Sequence, residues 1–541
     1  MRERDNIHEK IQKLWTVEEK QIALNMPRYY GFPCVILNED KVPYNALPLI
    51  QFYTKSHFIS VEKLPDPYLS LESTATTIAQ EIKYLVEEML ITEHEGVKHE
   101  FTPNSDKYLI PQEEDAFSKR IVRQINRIIS NNMVDKAPHL LMAQFDYDTT
   151  HEAFWFVGGI EPPKNVIEKR KRRIWMKNQL YEPTDRAVQY LGSPILAVRS
   201  NLPLKPLLDY KEAKNPEFTV PKYTYYPQTT GYTIEHRHGT NKPGFWPGDS
   251  DEFGLISFHG RGHILARKNS FGPEDNLEAL HCQALTASYG WLLGQASYQG
   301  FTTYNDLTYP LVTQTVITNG QLWSFYAYQL NTILMHNEKV DENPKHNICY
   351  GTKPMKLYEK IENGKLIDFN EDVLKTLIQF YLNAPTKRKH NMKPYLGKEI
   401  QVAADIEDDK KRCWLEDTYK HIMSNRPRHN LVPEMYHWEW IYKVLFNTRF
   451  FERKVRFFER NINPFARKLN DHLPPYIPKQ LSLEHYDISY SGADKQGHVV
   501  TPQRVDQFGR SLTPSVHPHV PKVHHRDPDK IYYKILIEVK F

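Results

Sequence analysis

The chain is 541 residues long, and with 40% hydrophobic residues, 25% charged residues and 70 Lys+Arg against 66 Asp+Glu it sits near globular averages, which excludes wholesale disorder and a small stapled scaffold. A mean hydropathy of −0.62 and no uninterrupted apolar run of about 18 residues exclude a membrane-spanning helix of normal length. Cys34, Cys282, Cys349 and Cys413 fit neither a disulfide framework nor a zinc spacing and read as ordinary reduced thiols.

Along the chain, Met1 to Asn25 carries Ile7, Ile11, Leu14 and Trp15 at helical spacing and predicts a short amphipathic helix in an N-terminal arm reaching about residue 70. It has no apolar signal core, and Glu3, Asp5 and Glu9 are wrong for an acidic-poor transit peptide. Ser73 to Glu93 and Asp115 to Ile129 each place their apolar residues on one face and predict core-facing helices. Leu140 to Tyr147 and Ala153 to Val157 read as paired strands around Asp148-Thr149-Thr150. The basic run from Lys169 to Arg173, followed by Trp175, opens a Pro-punctuated region expected to be irregular as far as about Gly262.

A small-residue helix is expected from about Asp275 to Ala296. Val312 to Thr318 and Gln321 to Leu330, joined by Asn319-Gly320, predict a β-hairpin on a two-residue type I′ turn. Asp368 with Glu371 forms a capping box for a helix whose apolar face includes Val373, Leu377, Phe380 and Tyr381 and which stops before Pro385. After an acidic patch at Asp405 to Asp409, aromatics and cations interleave from Trp438 to Arg460. Pro474 to Pro528 reads as extended chain, and Ile531 to Val539 as a final strand. The fold class is α+β: a mixed core with a central β-hairpin and packed amphipathic helices over residues 1–383 (body from about 71), then a basic, aromatic and Pro-rich extension over 384–541.

An enzyme places nucleophile, base and electrophilic stabiliser in recognisable order, and little of this is present. His94-Glu95-Gly96-Val97-Lys98-His99 has one residue too many for the zinc-protease helix motif, and its Gly predicts a polar loop. His236, His238, His259 and His263 have the chemistry to converge on a metal, but no Cys or carboxylate accompanies them, so hydrogen-bonded or solvated loop histidines are the reading. The same holds for His517, His519, His524 and His525. Gly260-Arg261-Gly262 lacks the context of a dinucleotide loop, no Walker A or G-x-S-x-G sequence occurs, and Cys282 beside His281 reads as a core thiol. No catalytic residue, metal or cofactor is therefore expected; a metal hydrolase using the four histidines is the weakest alternative.

Charge is divided unevenly. Residues 384–541 hold 28 Lys+Arg against 19 Asp+Glu, so they carry +9 while residues 1–383 carry −5, the form of an attached polyanion-binding segment. Three basic runs lie next to aromatics: Lys169, Arg170, Lys171, Arg172 and Arg173 with Trp175; Lys387, Arg388 and Lys389; and Arg449, Arg453, Lys454, Arg456 and Arg460. Guanidinium groups pair with phosphate and rings stack on exposed bases, so these are the candidate RNA-binding residues. A free RNA-binding factor is the alternative to a fixed ribonucleoprotein component.

Tyr298-Gln299-Gly300-Phe301, Val316-Ile317-Thr318-Asn319-Gly320, Tyr328-Gln329-Leu330-Asn331-Thr332, Asn347-Ile348-Cys349-Tyr350-Gly351-Thr352, Leu357-Tyr358-Glu359 and Phe369-Asn370-Glu371-Asp372-Val373-Leu374 follow one another in a familiar order and spacing, with a weaker echo at Gln51-Phe52-Tyr53-Thr54-Lys55. These blocks resemble the family of mitochondrial ribosomal proteins first numbered thirty in the small-subunit series, also called programmed cell death protein nine, over roughly residues 1–383. The resemblance implies a non-enzymatic α+β constituent of the large mitoribosomal subunit in the mitochondrial matrix. Its implied partners are large-subunit rRNA and neighbouring mitoribosomal proteins, including a related sister protein. Family members end near the position of Asn383, so the resemblance assigns nothing to the basic extension.

Overall fold

The computed structural model describes residues 32–100, 110–237 and 241–398 apart from 246–247, 303–304 and 337–338. It also describes 9, 11–14, 16–17, 20, 407–410 and two paired short strands at 504–505 and 511–512. The expected helix at Met1 to Asn25 falls mostly outside these residues. The stretches Trp438 to Arg460 and Ile531 to Val539 fall wholly outside, and of Pro474 to Pro528 only the two short strands are described.

The described body is α+β and built in four layers. A four-stranded sheet orders β4 (His151–Ile160), β5 (Thr184–Gly192), β1 (Phe32–Asn38) and β7 (Ile234–Arg237). A larger mixed sheet runs β2 (Ser56–Val61), β11 (Asn347–Thr352), β10 (Leu322–Leu330), β9 (Leu311–Thr318), β8 (Phe253–His259), β6 (Leu196–Ser200) and β3 (Gln144–Tyr147), with β12 (Met355–Lys356) paired to β10. Between the sheets lie α1 (Leu47–Thr54) and α5 (Pro273–Tyr298). The far face of the larger sheet is covered by α2 (Glu72–Glu100), α3 (Ile110–Met133) and α6 (Glu371–Leu382).

Strand parity assigns the layers. On β10, Tyr326, Tyr328 and Leu330 point to the α5 side and Trp323, Phe325 and Ala327 to the α2/α3/α6 side. Every residue of β9 is buried, as a strand covered on both faces must be.

Helix α5 begins with Pro273 in its first turn beside Glu274 and Asp275, which suit the positive end of the helix dipole. From Ala279 to Gly300 every residue is buried, so no polar face exists. It ends in a Schellman arrangement: Phe301 N–H donates to Ala296 O at 3.0 Å and Gly300 N–H to Ser297 O at 3.1 Å, with Gly300 at φ +92°. The small residues let the sheets close in, and at Gly290 the ring of Tyr190 from β5 occupies the space a side chain would take.

The expected helices at 73–93, 115–129, 275–296 and after Glu371 are present, each at least as long as its periodicity predicted. Several local expectations are corrected. His94 to His99 lies in α2, not a loop. β3 and β4 do not pair: β3 joins β6 in the larger sheet and β4 joins β5 in the smaller, the chain changing sheets at Asp148, φ +52°. The region expected to be irregular up to Gly262 contains β5, β6, β7 and β8; β5 pairs with the preceding β4 and with the distant β1, and β6 and β8 pair with each other and with β3 and β9.

At the hairpin only Gly320 has positive φ, so the turn centres on Gly320-Gln321 with Gly first, the type II′ pattern, while Asn319 Oδ1 accepts the N–H of Gln321 and of Leu322 at 3.1 and 2.7 Å. The cap of α6 is Asn370, whose Oδ1 accepts the Asp372 N–H at 3.0 Å; Asp368 sits at φ +55° in the preceding turn.

Gly290→Ala should lower stability by about 1–2 kcal/mol, because the new Cβ would lie 2.2 Å from Tyr190 Cδ1 and overpacking outweighs the gain in helix propensity. Thermal unfolding of the purified chain measures this, and an unchanged Tm would show that the Tyr190 ring moves aside at no cost.

Candidate nucleic-acid interface

The connection from β4 to β5 leaves the body. Pro163 holds extended backbone before α4 (Lys164–Lys171), and a short 3-10 helix follows from Ile174 to Gln179; neither contains a buried residue. Residues 164–181 carry seven Lys or Arg and one acid, Glu168. Lys169, Lys171, Arg172 and Arg173 are exposed, and none forms an ion pair with a described residue. Arg170 is different. Its Nη1 donates to the carbonyls of Gln179 (2.8 Å), Leu180 (3.2 Å) and Glu182 (2.6 Å), tying the two ends of the excursion together. Ile174, Trp175 and Tyr181 are 81%, 76% and 73% exposed, the most open large apolar side chains among the described residues.

The second basic run divides by role. Lys387 and Lys389 are exposed, but Arg388 donates from Nη1 to Pro310 O and from Nη2 to Leu204 O and lies over the Tyr309 ring, 6.0 Å from its centroid. Burial holds its pKa down at about 10 although Tyr309 opposes the shift. Thr386 N–H donates to Pro203 O at 2.9 Å, Tyr309 Oη to Met392 O at 2.5 Å, and Leu396 is fully buried. Residues 386–396 therefore run back over the body, clamped by Arg388, and of the basic run Lys387 and Lys389 face outward. Arg449, Arg453, Lys454, Arg456 and Arg460 lie outside the described residues.

Of the four histidines, His259 is held by a carboxylate and a hydroxyl. His259 Nδ1 meets Glu39 Oε2 at 2.7 Å and its Nε2 meets Ser257 Oγ at 3.1 Å. His263 is buried, and desolvation pushes it down to about 4. His236 lies on β7 beside Pro33, and His238 is outside the described residues. Among the described residues no group of three or more His, Cys, Asp or Glu could hold a metal ion. Cys34, Cys282 and Cys349 are buried thiols.

Ser257, His259 and Glu39 stand in the order of nucleophile, base and orienting acid, but Ser257 is 1% exposed and faces Thr315 Oγ1 (3.3 Å), which itself bonds Ser288 Oγ (2.8 Å). The hydroxyl is enclosed by its neighbours. The chain of polar groups continues from Glu39 to the Tyr190 hydroxyl, which donates to Oε1. It thus links α5, the adjacent strands β8 and β9 of the larger sheet and the β5 strand of the smaller one. Sequence reading missed Glu39 because its partners are 151 and 220 positions away.

Burial raises the Glu39 pKa, but His259, Tyr190 and Gln283 outweigh it and hold the carboxyl below its usual 4.5. A depressed carboxylate stabilises the fold above the unfolded pKa, and the contribution fades as pH falls through the folded value. Glu39→Gln should therefore destabilise the chain by about 3 kcal/mol near pH 7, as expected for breaking a buried pair. The gap from wild type should narrow below pH 4.5; Tm against pH measures both, and a gap that widened in acid would contradict the assignment.

Compared with models of known families, residues 1–385 match the one described as Mitochondrial 28S ribosomal protein S30 (PDCD9).

Proposed function

Because the chain belongs to the mitochondrial ribosomal protein S30 (PDCD9) family, we propose that it is a structural, non-catalytic constituent of the large mitoribosomal subunit, contacting rRNA with its basic segments and neighbouring ribosomal proteins with its body. Membership makes it a mitochondrial ribosomal protein. The family name carries the small-subunit designation 28S, whereas the resemblance of its hairpin and flanking blocks implies the large subunit, and the large subunit is our reading. The observation that carries the function is the family match over residues 1–385.

The RNA contact rests on charge. Residues 384–541 carry +9 against −5 for 1–383, and the excursion at 164–181 adds a second cationic site on the body. Lys169, Lys171, Arg172, Arg173, Lys387 and Lys389 are exposed for such a contact, and the five cations from Arg449 to Arg460 extend it. Arg170 and Arg388 act as struts within it. In this reading residues 1–383 form the family body and 384–541 the RNA-facing extension, with the neighbours including a related sister protein. None of the helices in the described residues is long and apolar enough to cross a membrane.

Gradient sedimentation of dissociated mitochondrial ribosomes tests the placement. Stoichiometric migration with large-subunit rRNA is expected; migration with the small subunit would overturn the subunit, and a substoichiometric, detachable pool would indicate a free RNA-binding factor. Reversing Arg449, Arg453, Lys454 and Arg456 to Glu should weaken incorporation, more so at raised salt, because each lost phosphate contact removes a counterion-release contribution. Unaltered incorporation at every salt concentration would remove the extension from the RNA contact.

A further inference from the structure

We propose that the excursion between β4 and β5 is a base-stacking finger: Trp175 takes an unpaired RNA nucleotide on its indole face while Lys169, Lys171, Arg172, Arg173 and Lys177 hold the adjoining phosphates. The inference rests on the ribosomal reading above and names the form of RNA that this site takes.

Three observations carry it. The finger buries nothing of its own in α4 or the 3-10 helix, so its shape does not serve the core. It is nevertheless held: Arg170 bonds three carbonyls at its far end, and Arg173 lies 4.0 Å from Met176 Sδ. Trp175 and Ile174, at 76% and 81% exposed, stand at the start of the 3-10 helix where no described residue covers them. An exposed indole offers a partner a large, flat contact face at low conformational cost.

The surroundings select the partner. A protein-docking hot spot sets its aromatic among apolar groups and depletes Lys; here Ile174 and Met176 adjoin Trp175, but residues 164–181 as a whole carry seven cations and a single acid. A-form duplex RNA offers its phosphates and a shallow groove but no free base face, whereas an unpaired nucleotide offers both a base face for the ring and a phosphate for the cations. Trp175 lies between Arg173 and Lys177 in sequence, so the finger supplies both kinds of contact from one turn of chain. Arg170 is a positioning residue, acting on the finger's shape instead of on the RNA.

The test uses whole particles. Trp175→p-benzoylphenylalanine, introduced into the full chain and irradiated in purified subunits, should cross-link to rRNA at a nucleotide that is unpaired. A cross-link only to a neighbouring protein, or only to paired nucleotides, overturns the finger while leaving ribosomal membership intact; failure of the wild-type chain to enter the subunit would instead sink the reading on which it rests.

A second measurement uses the full-length protein with a labelled oligouridylate and a labelled RNA duplex of equal length. Trp175→Ala should weaken the single strand about tenfold and leave the duplex unchanged. Trp175→Phe should retain most of the affinity. The triple variant Lys169→Glu, Arg172→Glu, Arg173→Glu should weaken both RNAs. Equal losses for single strand and duplex on Trp175→Ala would overturn stacking.

Discussion

A carboxylate buried between two sheets has to be satisfied from both, and Glu39 is. It receives the Tyr190 hydroxyl from the smaller sheet and pairs with His259 of the larger, which passes the connection through Ser257 and Thr315 to Ser288 on the helix between them. Such a chain of hydrogen bonds tolerates little displacement, because a partner that moves away leaves a buried polar group unpaired. It fixes how far apart the sheets stand. The helix filling that gap is made of Ala, Ser, Thr and Gly between its larger residues, and at Gly290 there is room for nothing more than a hydrogen against Tyr190. The glycine and the carboxylate meet at the same tyrosine, so thin helix and polar tie depend on one ring.

What could be read from sequence follows the range of the interactions involved. Helices α2, α3, α5 and α6 write their burial into their own periodicity, and the hairpin from Leu311 to Leu330 writes its pairing into Asn319-Gly320. Even there the turn moved by one residue, since Asn319 uses its side chain to cap the loop instead of adopting positive φ. Strands β5 to β8 left no comparable signal. β5 pairs in parallel with β1 and β8 with β9, and even the antiparallel β4–β5 pair is separated by the excursion between them, so no short turn signal marks these strands. The separation of β3 and β4 into different sheets was hidden for the same reason: adjacency in sequence suggests pairing, but tertiary partners decide it.

For the candidate interface, residue type was legible and residue role was not. The basic runs were visible as charge, but which cations face water depends on carbonyls elsewhere. Arg170 and Arg388 sit among lysines and arginines indistinguishable in sequence, yet each is committed to backbone oxygens that only the fold brings near. The exposure of Trp175 was equally invisible, since an aromatic beside a charge run is as compatible with a core anchor as with an open platform. Together these show a division of labour in which a few arginines make the scaffold and their neighbours remain exposed.

The buried thiols carry a consequence of their own. Burial pushes Cys282 and Cys349 away from the thiolate form, and Cys34 is likewise enclosed in the smaller sheet. Peroxide attacks thiolate sulfur that it can reach. In an organelle that generates such oxidants continuously, these three positions are shielded while the chain is folded, and sulfenic acid at any of them would mark a molecule whose layers had already come apart.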